Sequence, residues 1–122
     1  MKLTNEKIYT YAIKIAEQFA DEAQKLPVKI NFYLQKNKAT LLELAQDIEK
    51  ARAEIIQSYG ELDESGENYK ITSEKIADAS KELEDLFTLE QEVQIYTVSV
   101  DTLPDDISLT TGQMEAIMFM ID

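Results

Sequence analysis

A heptad repeat of aliphatic residues in the first half of the chain constrains its fold more than any other feature. The repeat consists of residues spaced by seven and of intermediate residues on the same seam: Leu34, Leu41, Ile48 and Ile55, with Leu44 and Ala51. This spacing is typical of a long helix packed along one partner, so we predict a helix over about 31–59. Asn37 also falls on the seam. Buried, it would fix an alignment, but the repeat can begin at Leu41, and we therefore expect a solvated Asn37.

Local signals place a helix at each end of the chain. Pro27 disfavours helical backbone at the residue before it, which predicts a first helix over about 5–25. Thr110 and Gln113 match a capping box in front of an apolar run, which predicts a last helix over about 111–121.

Between them we predict a third helix and a strand. The helix covers about 73–89 and turns three apolar residues inward: Ile76, Leu83 and Phe87. Residues 92–100 are rich in β-branched and aromatic residues, which predicts a strand. Because a lone strand leaves backbone groups unpaired, it needs a partner. The candidates are residues 69–71, residues 28–32 or a strand of another subunit.

These elements together predict an α+β, mainly α fold. A long helical hairpin, two shorter helices and a small sheet built on 92–100 form one domain spanning residues 1–122. A chain of 122 residues with 44% apolar content can bury a core of its own.

The net charge of −12 comes from the second half of the chain. Residues 1–60 contain nine Lys or Arg and eight Asp or Glu, whereas residues 61–122 contain three Lys and sixteen Asp or Glu. Such a charge repels free nucleic acid and favours basic partners. We therefore expect a binding protein with a near-neutral helical hairpin and an acidic second half.

The residue types argue against catalysis. The chain has no histidine and no cysteine, and its three glycines are isolated, so no phosphate-binding loop is present. We predict a non-enzymatic protein without a cofactor or a metal site. Thr10 and Lys14 interrupt the first apolar residues, and no apolar stretch reaches membrane-spanning length, so we expect neither a signal peptide nor membrane binding.

Two groups of carboxylates are the candidate binding residues. Four recur at three- and four-residue steps on the third helix: Glu74, Asp78, Glu82 and Asp85. Four more precede it in an acidic loop: Glu61, Asp63, Glu64 and Glu67. Carboxylates along a helix can imitate a line of phosphates, although an ordinary solvated helix face, helped by Lys75 and Lys81, is the competing interpretation.

Two other surfaces are candidates for association. The last helix has more apolar residues than one face of a short surface helix can bury: either it is buried nearly all round, or Phe119 and Met120 form an interface. One cluster of basic residues contains aromatic rings: Lys25, Lys29, Lys36 and Lys38 with Phe32 and Tyr33. Basic residues interleaved with aromatic ones can bind single-stranded nucleic acid. Packing of the rings into the corner between the first two helices is the simplest interpretation. Contact with the acidic half of a second copy would give a homodimer.

Several short segments follow one another in a characteristic order: Leu26–Ile30, Lys36–Asn37, Ala51–Arg52, Ser58–Glu61, Asp63–Gly66, Tyr69–Ile71, Leu109–Thr110 and Ala116–Ile121. In this order the chain resembles a family of small proteins of unknown function encoded by tailed phages and prophages of Firmicutes. The resemblance implies a phage-type protein in the bacterial cytoplasm or on a virion, and it transfers no functional residue.

Our leading hypothesis is an acidic, nucleic-acid-mimicking inhibitor that binds a basic host or phage protein, such as a defence nuclease, without binding nucleic acid. The first alternative is a virion or tail-assembly accessory protein. The second is a protein that sequesters a nucleotide-like ligand in a pocket with cationic and aromatic residues: Arg52, Tyr69, Lys70 and Tyr96.

Overall fold

A computed structural model of the chain describes residues 1–20, 26–104 and 107–122. The elements follow in this order: β1 (Lys2–Thr4), α1 (Asn5–Gln18), α2 (Val28–Tyr59), β2 (Gly60–Leu62), β3 (Tyr69–Ile71), α3 (Ser73–Thr88), β4 (Glu90–Glu92) and α4 (Thr111–Ile117). Short 3₁₀ helices cover Val100–Thr102 and Met118–Met120. The predicted α+β, mainly α class is confirmed.

The core lies where α1 packs along α2 and where α4 covers α1. Its main side chains are fully or almost fully buried: Ile8, Ile15, Leu34, Leu41, Ile48, Ala116, Ile117 and Met120. Each of the larger aliphatic side chains contributes about 1.5–3 kcal/mol through burial. The predicted seam of α2 is therefore confirmed at Leu34, Leu41 and Ile48, whereas Leu44, Ala51 and Ile55 are only half-buried.

Both ends of the connection between α1 and α2 differ from the prediction. α1 ends at Gln18 because Phe19 leaves the helical conformation to enter the core, and the Gln113 side-chain amide donates to the Gln18 carbonyl at 3.1 Å. The rest of the predicted first helix, residues 21–25, lies outside the described residues. α2 begins at Val28, directly after Pro27, so residues 28–32 are helical and do not form a strand.

The predicted strand over 92–100 is wrong in extent and in partner. Only Glu90–Glu92 forms a strand, and it pairs antiparallel with β1 near the N-terminus. β3 was the first candidate partner, but it forms a separate hairpin with β2. Residues 93–97 run outside any strand, and Val98 makes one parallel bridge to Ile121.

Asn37 explains how the segment after β4 is held without a sheet. The side chain is fully buried, contrary to the solvated Asn37 that we expected. Its Nδ2 donates to the Tyr96 carbonyl at 2.9 Å, and its Oδ1 accepts from the Tyr96 N–H at 2.9 Å. The amide thus satisfies both backbone groups that a neighbouring strand would otherwise pair.

The capping box in front of α4 is confirmed. Thr110 Oγ1 accepts from the Gln113 N–H at 3.1 Å, and Gln113 Oε1 accepts from the Thr110 N–H at 3.0 Å. The helix continues after Ile117 as a 3₁₀ turn, which tightens the last residues. This turn directs Met120 into the core, where it is 0% exposed.

Candidate protein-binding surface

The four carboxylates predicted on α3 are all exposed. They lie along one side of the helix over eleven residue steps, which correspond to about 16 Å. The inner side is formed by buried Ala79 and by half-buried residues that follow it: Leu83, Leu86 and Phe87. Ile76, predicted to face inward, is 50% exposed: it lies in the first turn of α3, before Asp78 and Glu82, which flank the last turn of α2.

Two of the four carboxylates lie beside the last turn of α2. Partial burial raises the pKa of the Tyr59 hydroxyl, and the negative charge of Glu82 and a hydrogen bond to Glu82 raise it further. Asp78 adds a smaller effect of the same sign. Asp78 and Glu82 therefore flank the contact between α2 and α3, while Glu74 and Asp85 belong to the more outward part of the stripe.

No cation neutralises this stripe within the described residues. The ion pairs found there join the N-terminal ammonium to Glu92 at 3.9 Å, Lys2 to Glu90 at 3.5 Å and Arg52 to Glu49 at 2.9 Å. Lys75 and Lys81, which we expected to offset the acidic face, form none of these pairs. The stripe presents its charge to solvent.

The C-terminal end of α3 is also acidic. Its last turn contains no basic residue, and Glu84 and Asp85 precede the final residue, Thr88, by one turn. The helix dipole makes this end negative, so carboxylates here are unfavourable by about 0.3–1 kcal/mol each at low salt. α3 thus carries negative charge where helix stability favours positive charge.

The acidic loop lies in the hairpin that joins β2 to β3. Asp63 organises this loop: its Oδ1 accepts from the Ser65 N–H at 2.9 Å and from the Ser65 hydroxyl. These bonds, led by the one from the hydroxyl, lower the pKa of Asp63. Gly66 closes the turn with φ of 73°, in the left-handed region that favours glycine. Asp63 therefore has a structural role in the hairpin.

The other acidic residues of the hairpin differ in how much charge they offer. Glu61 lies directly opposite Lys70 in the strand register, so its charge is partly offset. Glu64 and Glu67 are exposed at the tip. The hairpin and α3 both follow the C-terminal end of α2, where the chain passes from β3 to α3 through Thr72 alone.

Exposed apolar side chains that the sequence did not predict lie on the hairpin and on α3. Leu62 is 58% exposed, Tyr69 is 41% exposed and Ile76 is 50% exposed. Leu62 and Tyr69 are cross-strand partners, so they form one apolar patch on the hairpin. The sequence could have indicated that Leu62 and Tyr69 face each other only if residues 60–62 had been recognised as a strand.

The predicted C-terminal interface needs a correction. Met120 is fully buried and cannot contact a partner, because the 3₁₀ turn after α4 directs it inward. Phe119 is half-buried and stacks on Tyr11 with ring centroids 4.6 Å apart. The exposed residue of this turn is Met118, at 60%.

In the basic cluster at the start of α2, two lysines contact aromatic rings. Lys29 lies over the Tyr33 ring at 5.8 Å and Lys36 over the Phe32 ring at 5.5 Å. Tyr33 is half-buried and stacks on Tyr96, whereas Phe32 is 56% exposed and does not pack into the corner between α1 and α2. Lys25 lies outside the described residues.

The four residues considered for a nucleotide-like ligand are not brought together. Arg52 pairs with Glu49 in the C-terminal half of α2, while Tyr96 is bonded to Asn37. The fifteen residues between these two points of α2 correspond to about 22 Å. Tyr69 and Lys70 lie on the hairpin, beyond the end of α2.

Membrane and metal criteria are not met by the described part of the chain. None of its helices combines the length and apolarity that crossing a bilayer requires. Over the same ranges, no three or more Asp or Glu residues converge as metal ligands would.

The resemblance to the phage family stays a prediction. No family model, curated protein or solved structure matches the chain.

Proposed function

We propose that this protein acts without catalysis by binding a protein with a basic surface, through the acidic side of α3 and the adjoining hairpin. The observation that carries the proposal is the stripe of four exposed carboxylates that no cation pairs among the described residues. Its persistence into the last turn of α3, at a cost to helix stability, favours a functional role over a merely solvated face.

The spacing of the charges favours mimicry of nucleic acid. Four charges over about 16 Å give one charge per roughly 5.5 Å of helix axis. One strand of duplex DNA carries one phosphate per about 3.4 Å of axis, so the stripe reaches about three-fifths of that density. A groove lined with Lys and Arg that binds a nucleic-acid backbone can therefore accept α3 in place of a strand.

In its most specific form, the proposal is that the protein inhibits a host nucleic-acid-handling or defence protein in the bacterial cytoplasm. Binding would occlude the partner's nucleic-acid channel. The hairpin patch of Leu62 and Tyr69 would add apolar contact beside the charges. Asp63 would act indirectly, by holding the loop that presents Glu64 and Glu67.

A capture experiment tests this function. The protein is immobilised, incubated with host lysate and washed at about 0.15 M salt, where the Debye length is about 8 Å. We expect a captured protein that duplex DNA displaces and whose own DNA binding the soluble protein inhibits. A partner that excess DNA cannot displace would contradict mimicry. Capture of a virion or tail component would support the assembly role instead.

A further inference from the structure

An apolar groove runs between α1 and α2, apart from the acidic side of α3. Its volume is about 280 Å³. The floor consists of small residues, and larger apolar side chains form the walls: Ala12, Ala16 and Ala45, with Tyr9, Ile13 and Leu42. Ile13 is 40% exposed although it faces this apolar surface.

The groove exists because α3 is too short to cover α2. α3 has 16 residues and a length of about 24 Å, whereas α2 has 32 residues and a length of about 48 Å. The middle of α3, at Asp78 and Glu82, lies beside Tyr59. Its C-terminal end reaches Tyr9, where Phe87 meets the Tyr9 ring edge-on at 6.1 Å. The groove begins at this contact and continues along the uncovered part of the two helices.

The charges around the groove are acidic. Among the described residues, its lining includes Glu17 and Glu49 and contains no Lys or Arg. Glu49 accepts a hydrogen bond from the Tyr9 hydroxyl at 3.1 Å and pairs with Arg52 at 2.9 Å, so Glu17 is the less compensated of the two. The negative C-terminal end of the α3 dipole also lies at the Phe87 end of the groove.

From this combination we propose that the groove binds an amphipathic helix of the partner, whose apolar stripe is flanked by Lys and Arg. Small residues in the floor let a helix approach closely, and apolar walls accept side chains at i, i+3, i+4 and i+7. The acidic rim selects basic flanks. This inference rests on the proposed function, because the helix is taken to belong to the same basic partner that binds the acidic side of α3.

The test uses a synthetic helical peptide of about 18 residues, or five turns, with leucines at i, i+3, i+4 and i+7 and lysines on both flanks. A scrambled peptide of the same composition keeps the charge and removes the apolar stripe. Fluorescence anisotropy at about 0.15 M salt, which screens long-range attraction, measures both affinities. We expect saturable binding of the patterned peptide, at least tenfold tighter than binding of the scrambled one.

Two matched variants locate the site. Ile13→Gln should weaken the patterned peptide about five- to tenfold, because the groove loses apolar contact and gains an amide that must be desolvated. Met118→Gln replaces a more exposed apolar residue outside the groove, at 60%, and should change affinity less than about twofold. Circular dichroism establishes that both variants remain folded.

Several results would overturn the proposal. These are equal affinities of the two peptides, an unchanged affinity in Ile13→Gln, or no saturable binding. Sedimentation that reveals a dimer lost in Ile13→Gln would assign the groove to a second copy instead. The test is separable from that of the proposed function, because charge reversal on α3 should leave the preference for the patterned peptide in place.

Discussion

Replacing Asn37 by alanine should destabilise the protein by about 2–4 kcal/mol. The substitution deprives the Tyr96 N–H and carbonyl of their partners, both at 2.9 Å. A fully buried group left without a partner costs about 1–3 kcal/mol, and half-buried Tyr96 belongs at the lower end of that range because water reaches it in part. The cavity left by the fully buried amide adds roughly 1 kcal/mol.

Urea denaturation followed by circular dichroism measures this effect. With a slope of about 2 kcal/mol per molar, the midpoint should fall by roughly 1–2 M. Asn31→Ala is the matched control, because Asn31 is exposed on the same helix and its loss should change stability by less than about 0.5 kcal/mol. A loss below about 1 kcal/mol for Asn37→Ala, or slow hydrogen exchange at Tyr96 in that variant, would refute the anchoring role.

Three further predictions concern the acidic half. Gly66→Ala should destabilise the protein by about 1 kcal/mol in urea denaturation, because a φ of 73° is unfavourable for alanine. No atom lies within 4 Å of the added Cβ, so the cost comes from the backbone conformation alone, and an unchanged stability would contradict the turn geometry. Asp85→Lys should stabilise α3 by about 0.3–1 kcal/mol at low salt through the helix dipole, and a destabilised variant would contradict that argument. Glu82→Gln should lower the pKa of Tyr59 toward its ordinary 10.0, as followed by NMR of the tyrosine ring carbons; an unmoved pKa would place Glu82 away from Tyr59.

Features of the fold that depend on residues close together in the sequence were predictable. The seam of α2 repeats every seven residues, and the capping box joins Thr110 to Gln113, so both appear within one short window. Asn37 was not predictable, because its partner Tyr96 lies 59 residues away. The pairing of β1 with β4 was missed for the same reason, and strands of three residues give little periodicity of their own.

The candidate surface was predictable to a similar extent. Helical spacing alone identified the four carboxylates of α3 as one exposed stripe. The exposure of Ile76 and the approach of Glu82 to Tyr59 depend on how α3 packs against α2, which no local pattern contains. The α1–α2 groove likewise follows from the unequal lengths of two helices that are distant in sequence.

Binding through the acidic side of α3 is tested most directly by measuring the affinity of two charge-reversal variants for the captured partner. One variant carries Lys at the α3 stripe, at positions 74, 78, 82 and 85. The control carries Lys at four exposed acidic positions elsewhere, 43, 47, 54 and 115, and so has the same net charge. At about 0.15 M salt, we expect at least a hundredfold weaker binding for the α3 variant and a loss of less than about fivefold for the control. Equal losses in the two variants, or full affinity of the α3 variant, would contradict binding through α3.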